Sequence, residues 1–175
     1  MFPDRFSTAR LSLRPMLPDD AHAIFTGYAQ DEEVTRYLTW RPHTSIDQTK
    51  AYVQACIAAE TARAYMLVLK ETGRGIGVFD LRKAGDAKLE YGYVVARPFW
   101  GKGLMTEALV DVIDWALCQP AIWRIAAAAD VDNIGSIRVM EKAGLQWEGV
   151  LRKWLIHPNI GPVPRDCVVF AKTRP

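Results

Sequence analysis

The stretch that most constrains this chain begins at Leu89-Glu90-Tyr91-Gly92-Tyr93-Val94-Val95. It continues through Arg97-Pro98-Phe99-Trp100-Gly101-Lys102-Gly103 into Leu104-Met105-Thr106-Glu107-Ala108-Leu109. The first run reads as a strand. The last opens an amphipathic helix in which Leu109, Val112, Ile113, Ala116 and Leu117 form one apolar stripe, with Glu107, Asp111 and Asp114 largely opposite. A strand joined to a helix by a tight glycine turn makes an anion site. The first backbone N–H groups of a helix have no internal partner, and the helix dipole adds about half a positive charge there. Gly101 and Gly103 carry no Cβ, so their backbone can take unusual dihedrals and approach a phosphate closely. The turn from Trp100 to Glu107 is therefore a candidate seat for a phosphate-bearing ligand. The competing reading is a glycine turn that merely joins strand to helix.

Two common phosphate motifs are excluded by residue. A nucleotide-triphosphate loop needs Ser or Thr after its Lys, and Lys102 is followed by Gly103. A dinucleotide fingerprint needs a third glycine where this chain has Thr106. The net charge of +2 announces no nucleic acid or anionic membrane as partner. Cys56, Cys118 and Cys167 stand far apart, which argues for free thiols in a reducing cytosol. Met1 leads into Phe2-Pro3-Asp4-Arg5 without an apolar leader, and no segment approaches a membrane span. The expectation is a cytoplasmic protein of one domain over residues 1–175.

Alternating elements fill the rest. Leu11–Arg14 reads as a strand, and Pro18-Asp19-Asp20 starts a helix through Ile24 and Phe25. Ser45 is a candidate N-cap for a helix to Arg63. Ala64–Lys70 and Ile76–Leu81 read as strands joined by a hairpin at Glu71–Gly75. Ile122–Ala129 is a short buried strand. Asn133–Ala143 is a helix that ends at Gly144, where Leu145 can pack on Met140. Trp147–Ile156 and Val163–Lys172 read as an antiparallel pair. The order implies an α/β (α+β) fold: a mixed twisted sheet with helices on both faces.

Several motifs now stand in one order: Glu90-Tyr91-Gly92-Tyr93, Pro98-Phe99-Trp100-Gly101-Lys102-Gly103, Thr106-Glu107-Ala108-Leu109, Asn133-Ile134-Gly135-Ser136 and Glu141-Lys142-Ala143-Gly144-Leu145. Together they resemble the GNAT superfamily of acetyl-CoA-dependent N-acetyltransferases. The branch they resemble is that of the ribosomal-protein N-terminal (Rim-type) enzymes and their small-molecule-acetylating relatives. Thr8–Pro15 resembles that branch's first strand.

The resemblance implies a mostly antiparallel sheet whose central pair of strands splays apart, with the pantetheine arm of acetyl-CoA in the gap. Backbone groups of Val94 and Val95 would hold the arm. The turn of Trp100, Gly101, Lys102, Gly103, Leu104, Met105 and Thr106 would hold the diphosphate, and Asn133 the arm's far side. In the family's phosphate pattern Trp100 and Met105 are departures. Main-chain N–H groups carry that contact, so Met105 is tolerable if its side chain turns into the core. Lys102 would add charge to the diphosphate or simply be solvated. The resemblance also implies CoA as product and a primary amine as acceptor, either a protein N-terminus or a small molecule. Relatives often pair, so an edge strand is a candidate homodimer contact.

Acetyl transfer needs a deprotonated amine, a polarised carbonyl and a stabilised thiolate; positioning can supply effective molarities of about 10⁵ M or more. Glu90 is the candidate general base, on the opposite strand face from Leu89, Tyr91 and Tyr93. An ion pair with a nearby Arg or Lys is the alternative. Many family members place a Tyr acid where this chain has Met140, so the candidate donor to sulfur is Ser136, a residue that could equally bond its own helix. Tyr28, Tyr37, Trp40 and Arg41 fall where this fold builds its acceptor pocket. His22, His43 and His157 show no metal spacing, and no metal is expected. His157–Pro162 reads as a long turn over the acceptor entrance. The alternative function is an acyl-CoA-binding sensor without turnover.

Overall fold

The chain forms β1 (Phe6–Ser7), β2 (Leu11–Pro15), α1 (Asp20–Ile24), α2 (Glu32–Thr35), α3 (Ile46–Ala58), β3 (Ala62–Leu69), β4 (Gly75–Lys83), β5 (Lys88–Val95), α4 (Leu104–Cys118), β6 (Arg124–Asp130), α5 (Ile134–Lys142), β7 (Gln146–Leu155) and β8 (Arg165–Thr173). This is a computed structural model, and it describes residues 2–175. The strands make one eight-stranded sheet in the order β1-β2-β3-β4-β5-β6-β8-β7. Only β5 and β6 run parallel, and α4 forms the crossover that joins them.

Helices cover both faces, as the patterning implies. On one face α4 buries Leu104, Met105, Ala108, Leu109, Val112, Ile113 and Ala116 against Leu81, Leu89, Tyr91 and Ile125 of the sheet. Each such aliphatic side chain contributes about 1.5–3 kcal/mol. On the other face Ile24, Tyr28 and Val53 pack on Ala64, Met66, Val78 and Val94. The α5 terminus takes the expected form: Gly144 lies at φ +80°, Leu145 N–H donates to the Met140 carbonyl at 3.1 Å, and Gly144 N–H donates to that of Glu141 at 3.0 Å.

Several boundaries differ from expectation. The helix from Ser45, whose hydroxyl accepts from Gln48 N–H as an N-cap, stops at Ala58 and not at Arg63. Ala62 and Arg63 pair instead with Arg82 and Leu81, so the sheet ladder claims residues whose propensity is neutral. The short strand expected from Ile122 starts at Arg124. The first helix is not continuous. After Ile24 the backbone widens into a π-helical turn over Phe25–Ala29, which buries Tyr28 and Ala29, and α2 follows.

Candidate active site

β5 is paired on both edges only in its first part. Lys88, Leu89 and Glu90 pair with Arg124, Ile125 and Ala126, and beyond Glu90 no β6 residue pairs with it. On the β4 edge pairing continues to Val95. The two central strands thus open into a notch, and the β5 main chain through Val94 and Val95 borders it without a strand partner. The Val95 carbonyl accepts from Trp100 Nε1 at 2.6 Å. Trp100 therefore ties the turn to the strand it follows. Gly77 of β4 lies so close to Val94 that a Cβ there would stand 2.2 Å from the Val94 carbonyl oxygen.

The turn after β5 has the form expected of an anion seat. Gly101 and Gly103 lie at φ +72° and +73°, and Gly103 caps α4. Glu107 N–H makes the first bond of the helix, to the Gly103 carbonyl at 3.0 Å, so the N–H groups of Leu104, Met105 and Thr106 precede it. Leu104 and Met105 turn their side chains into the core. Lys102 Nζ rests 5.4 Å from the centre of the Phe99 ring. Arg10 braces the turn from β2's side: Nη1 donates to the Lys102 carbonyl at 2.9 Å and Nε to Glu107 at 2.7 Å. Burial pushes the Glu107 carboxyl up, but bonds from Thr8 and Arg10 outweigh it and hold it below its ordinary value. Arg10 was not legible as part of this turn, since it lies far away in sequence.

At the start of α5, Asn133 caps the helix by accepting from Ser136 N–H at 3.2 Å. Burial raises Tyr93 to about 12, against a smaller downward pull from Ser136. The Tyr91 and Tyr93 hydroxyl oxygens are both buried without a partner.

On the opposite face of β5, Glu90 is exposed at the last position paired on both edges. Among the described residues no cation stands within 4.0 Å of it, because Arg82 pairs with Asp80 and Arg124 with Glu148. The Arg124 guanidinium, held up first by its bond to Glu148, also feels the Glu90 charge. Asp80, whose side chain is 28% exposed, was not picked out from sequence; burial raises its pKa against the pull of Arg82. A lone acid in an apolar strand run was the signal available.

The acceptor-side residues separate. Tyr28 is 2% exposed within the core, so it lines no open surface; the π-helical turn rotates it inward. Trp40 stacks on His43 at 4.8 Å and lies 5.9 Å from Tyr52, ring centre to ring centre. Tyr37 donates to the Asp132 carbonyl at 3.2 Å, while Arg41 is exposed. The 157–162 turn is fastened to this segment by Asn159, whose Nδ2 donates to the carbonyls of Thr35 at 2.7 Å and Trp40 at 2.8 Å. Behind it, buried Asp130 holds Arg165 and lies 3.5 Å from His157 Nε2.

Comparison with known proteins agrees with this architecture. Residues 10–146 match the acetyltransferase (GNAT) domain family. The N-acetyltransferase p20 of Bacillus licheniformis, named as uncharacterized, is 32% identical over 152 residues, covering 84% of this chain and 85% of that protein. The microcin C7 self-immunity acetyltransferase MccE, solved with acetyl-CoA and AMP, superposes with a TM-score of 0.87 at 20% identity, over 98% of this chain and 97% of that one. The ribosomal L7/L12 acetyltransferase RimL, solved with coenzyme A, superposes at 0.83 and 20% identity, over 95% and 96%. No helix among the described residues is long and apolar enough to cross a membrane. With its mixed sheet opened between β5 and β6 and the family match spanning that opening, the chain belongs to the GNAT acetyltransferases.

Proposed function

We propose that this protein is a cytoplasmic N-acetyltransferase that moves an acetyl group from acetyl-CoA directly to a primary amine. One observation carries the reading: the β5 edge left without a β6 partner beyond Glu90 runs straight, through the glycine turn, into the free N–H groups at the start of α4. The first suits the amides of a pantetheine arm and the second a diphosphate. Bound acetyl-CoA would supply an activated thioester and a thiolate leaving group.

The chain's residues then divide the work. The N–H groups of Leu104, Met105 and Thr106 bind phosphate oxygens, and the glycines let them approach. Val94 and Val95 border the arm, and Asn133 offers its amide from α5. Glu90 takes the proton from the acceptor amine, directly or through water, at the mouth of the face bearing Asp80. Ser136 donates to the departing sulfur. No cysteine lies within these motifs, so no acyl-enzyme is invoked. Tyr37, Trp40 and Arg41 line the approach to Glu90 and shape the acceptor, a protein N-terminus or a small amine. The inward turn of Met105 removes one ground of the sensor alternative; the other, Met140 in the place of a Tyr acid, stands.

Thiol release from acetyl-CoA, measured across primary amines and N-terminal peptides, tests the reading. Turnover above hydrolysis with at least one amine is expected. Tight acetyl-CoA binding with no acceptor supporting turnover would favour the sensor.

A further inference from the structure

The glycine turn after β5 gathers more positive charge than its neighbours neutralise. Arg10 is engaged by Glu107, and Arg97 by Asp31 and Glu33. Lys70 donates to the Thr8 carbonyl. Arg74 and Lys102 differ: both are exposed, and among the described residues no carboxylate stands within 4.0 Å of either. They come from separate parts of the chain, Arg74 from the β3–β4 hairpin and Lys102 from the turn itself. Yet both rest on one ring. The Arg74 guanidinium carbon lies 5.4 Å from the centre of Phe99, and Lys102 Nζ lies 5.4 Å from the same centre. The platform is fixed, because Phe99 packs against the core on both faces of the sheet and its N–H donates to the Ala96 carbonyl at 3.0 Å. The hairpin is fixed too: Leu69 N–H donates to the Arg74 carbonyl at 2.9 Å, and Ala96 N–H to that of Ile76 at 2.8 Å. Two like charges on one ring repel each other. Close to the free N–H groups of Leu104, Met105 and Thr106 they add to a single positive field, which an anion would relieve.

Resting on the reading above, we propose that Arg74 and Lys102 form a second anion subsite, which takes the 3′-phosphate on the ribose of coenzyme A. On that reading the diphosphate occupies the α4 N–H groups, and the 3′-phosphate lies one sugar beyond it. As a phosphomonoester it carries about two negative charges at neutral pH, more than either phosphate of the diphosphate. The Arg74 guanidinium offers it a planar fork of donors, and the Lys102 ammonium a flexible point charge. Both need only turn from the Phe99 ring to reach a common phosphate. The subsite stands on the far side of the diphosphate from the thioester, so it has no part in acyl transfer. It selects the coenzyme, holding the phosphorylated form over the 3′-dephospho form.

Calorimetric affinities for CoA and 3′-dephospho-CoA, measured on wild type, Arg74→Gln and Lys102→Gln, test this without turnover. Both side chains are exposed, so thermal unfolding of the variants should match wild type. Wild type should bind CoA about tenfold tighter than 3′-dephospho-CoA. Arg74→Gln should bring that ratio to within about twofold of unity while binding 3′-dephospho-CoA as wild type does. Lys102→Gln should lower the ratio in the same direction, and added salt should shrink it in wild type. An equal loss for both coenzymes in Arg74→Gln would assign the guanidinium to the diphosphate and overturn the inference. So would a wild-type ratio of unity, or an Arg74→Gln ratio equal to that of wild type. Each of these leaves the acetyltransferase reading intact. Failure of wild type to bind either coenzyme would overturn both.

Discussion

On one face of the sheet α4 runs unbroken from Leu104 to Cys118, its apolar stripe on the core and its first N–H groups just past the glycine turn that follows β5. On the other, residues 20–45 pass through a short helix, a π-helical turn, a second short helix and a loop before α3 begins. The side we assign to the coenzyme is thus made of one regular element whose proposed anion seat is main chain. The acceptor side is an assembly of short pieces held by contacts from far along the chain, such as Asn159 on Thr35 and Trp40. A coenzyme common to a family can be gripped by backbone, which any suitable side chain leaves in place. An acceptor that differs between members is met by side chains on elements free to vary.

The contrast predicts that damage to the two faces separates in kinetics. The largest effect is expected where they meet: Glu90→Gln should lower turnover about a hundredfold at neutral pH with CoA affinity within twofold. Unchanged turnover would remove Glu90 from the base role. On the cofactor side, Gly103→Val forces a β-branched residue to φ +73° and should weaken acetyl-CoA binding about tenfold by calorimetry. Equal affinity would show that the turn does not hold the coenzyme. On the acceptor side, Asn159→Ala removes two hydrogen bonds and should cost about 1–2 kcal/mol of stability in denaturant. It should also raise the acceptor KM severalfold while CoA affinity stays put. A shift in CoA affinity instead would mean that the two faces are not independent.

The smallest effect concerns pH. Burial pushes Asp130 up, but Arg165 and the Asp132 N–H outweigh it, so its folded pKa lies below the unfolded value of about 3.9. Its stabilisation is then complete above that value and lost as pH falls through the lower folded value. Wild type should lose stability more steeply than Asp130→Asn below about pH 4 in acid-dependent denaturation. Parallel curves would assign Asp130 no such part.

What the chain discloses by itself follows local rules. Gly101 and Gly103 between a strand and a stripe of period 3.6 announce the anion seat, and Gly144 before Leu145 announces the end of α5. Steric freedom and hydrophobic period act within a few residues. The inward turn of Tyr28 was not legible, because the widening at Phe25–Ala29 answers to the core beneath it. Nor was the end of α3, where β4 draws Ala62 and Arg63 into its ladder. Arg10 beneath Lys102 and Asn159 on Trp40 join residues far apart in sequence. No local pattern encodes such meetings; they exist only once the sheet brings distant strands and loops together. The amino-acid order determined the notch and its glycine rim, and tertiary packing decided which side chains face it.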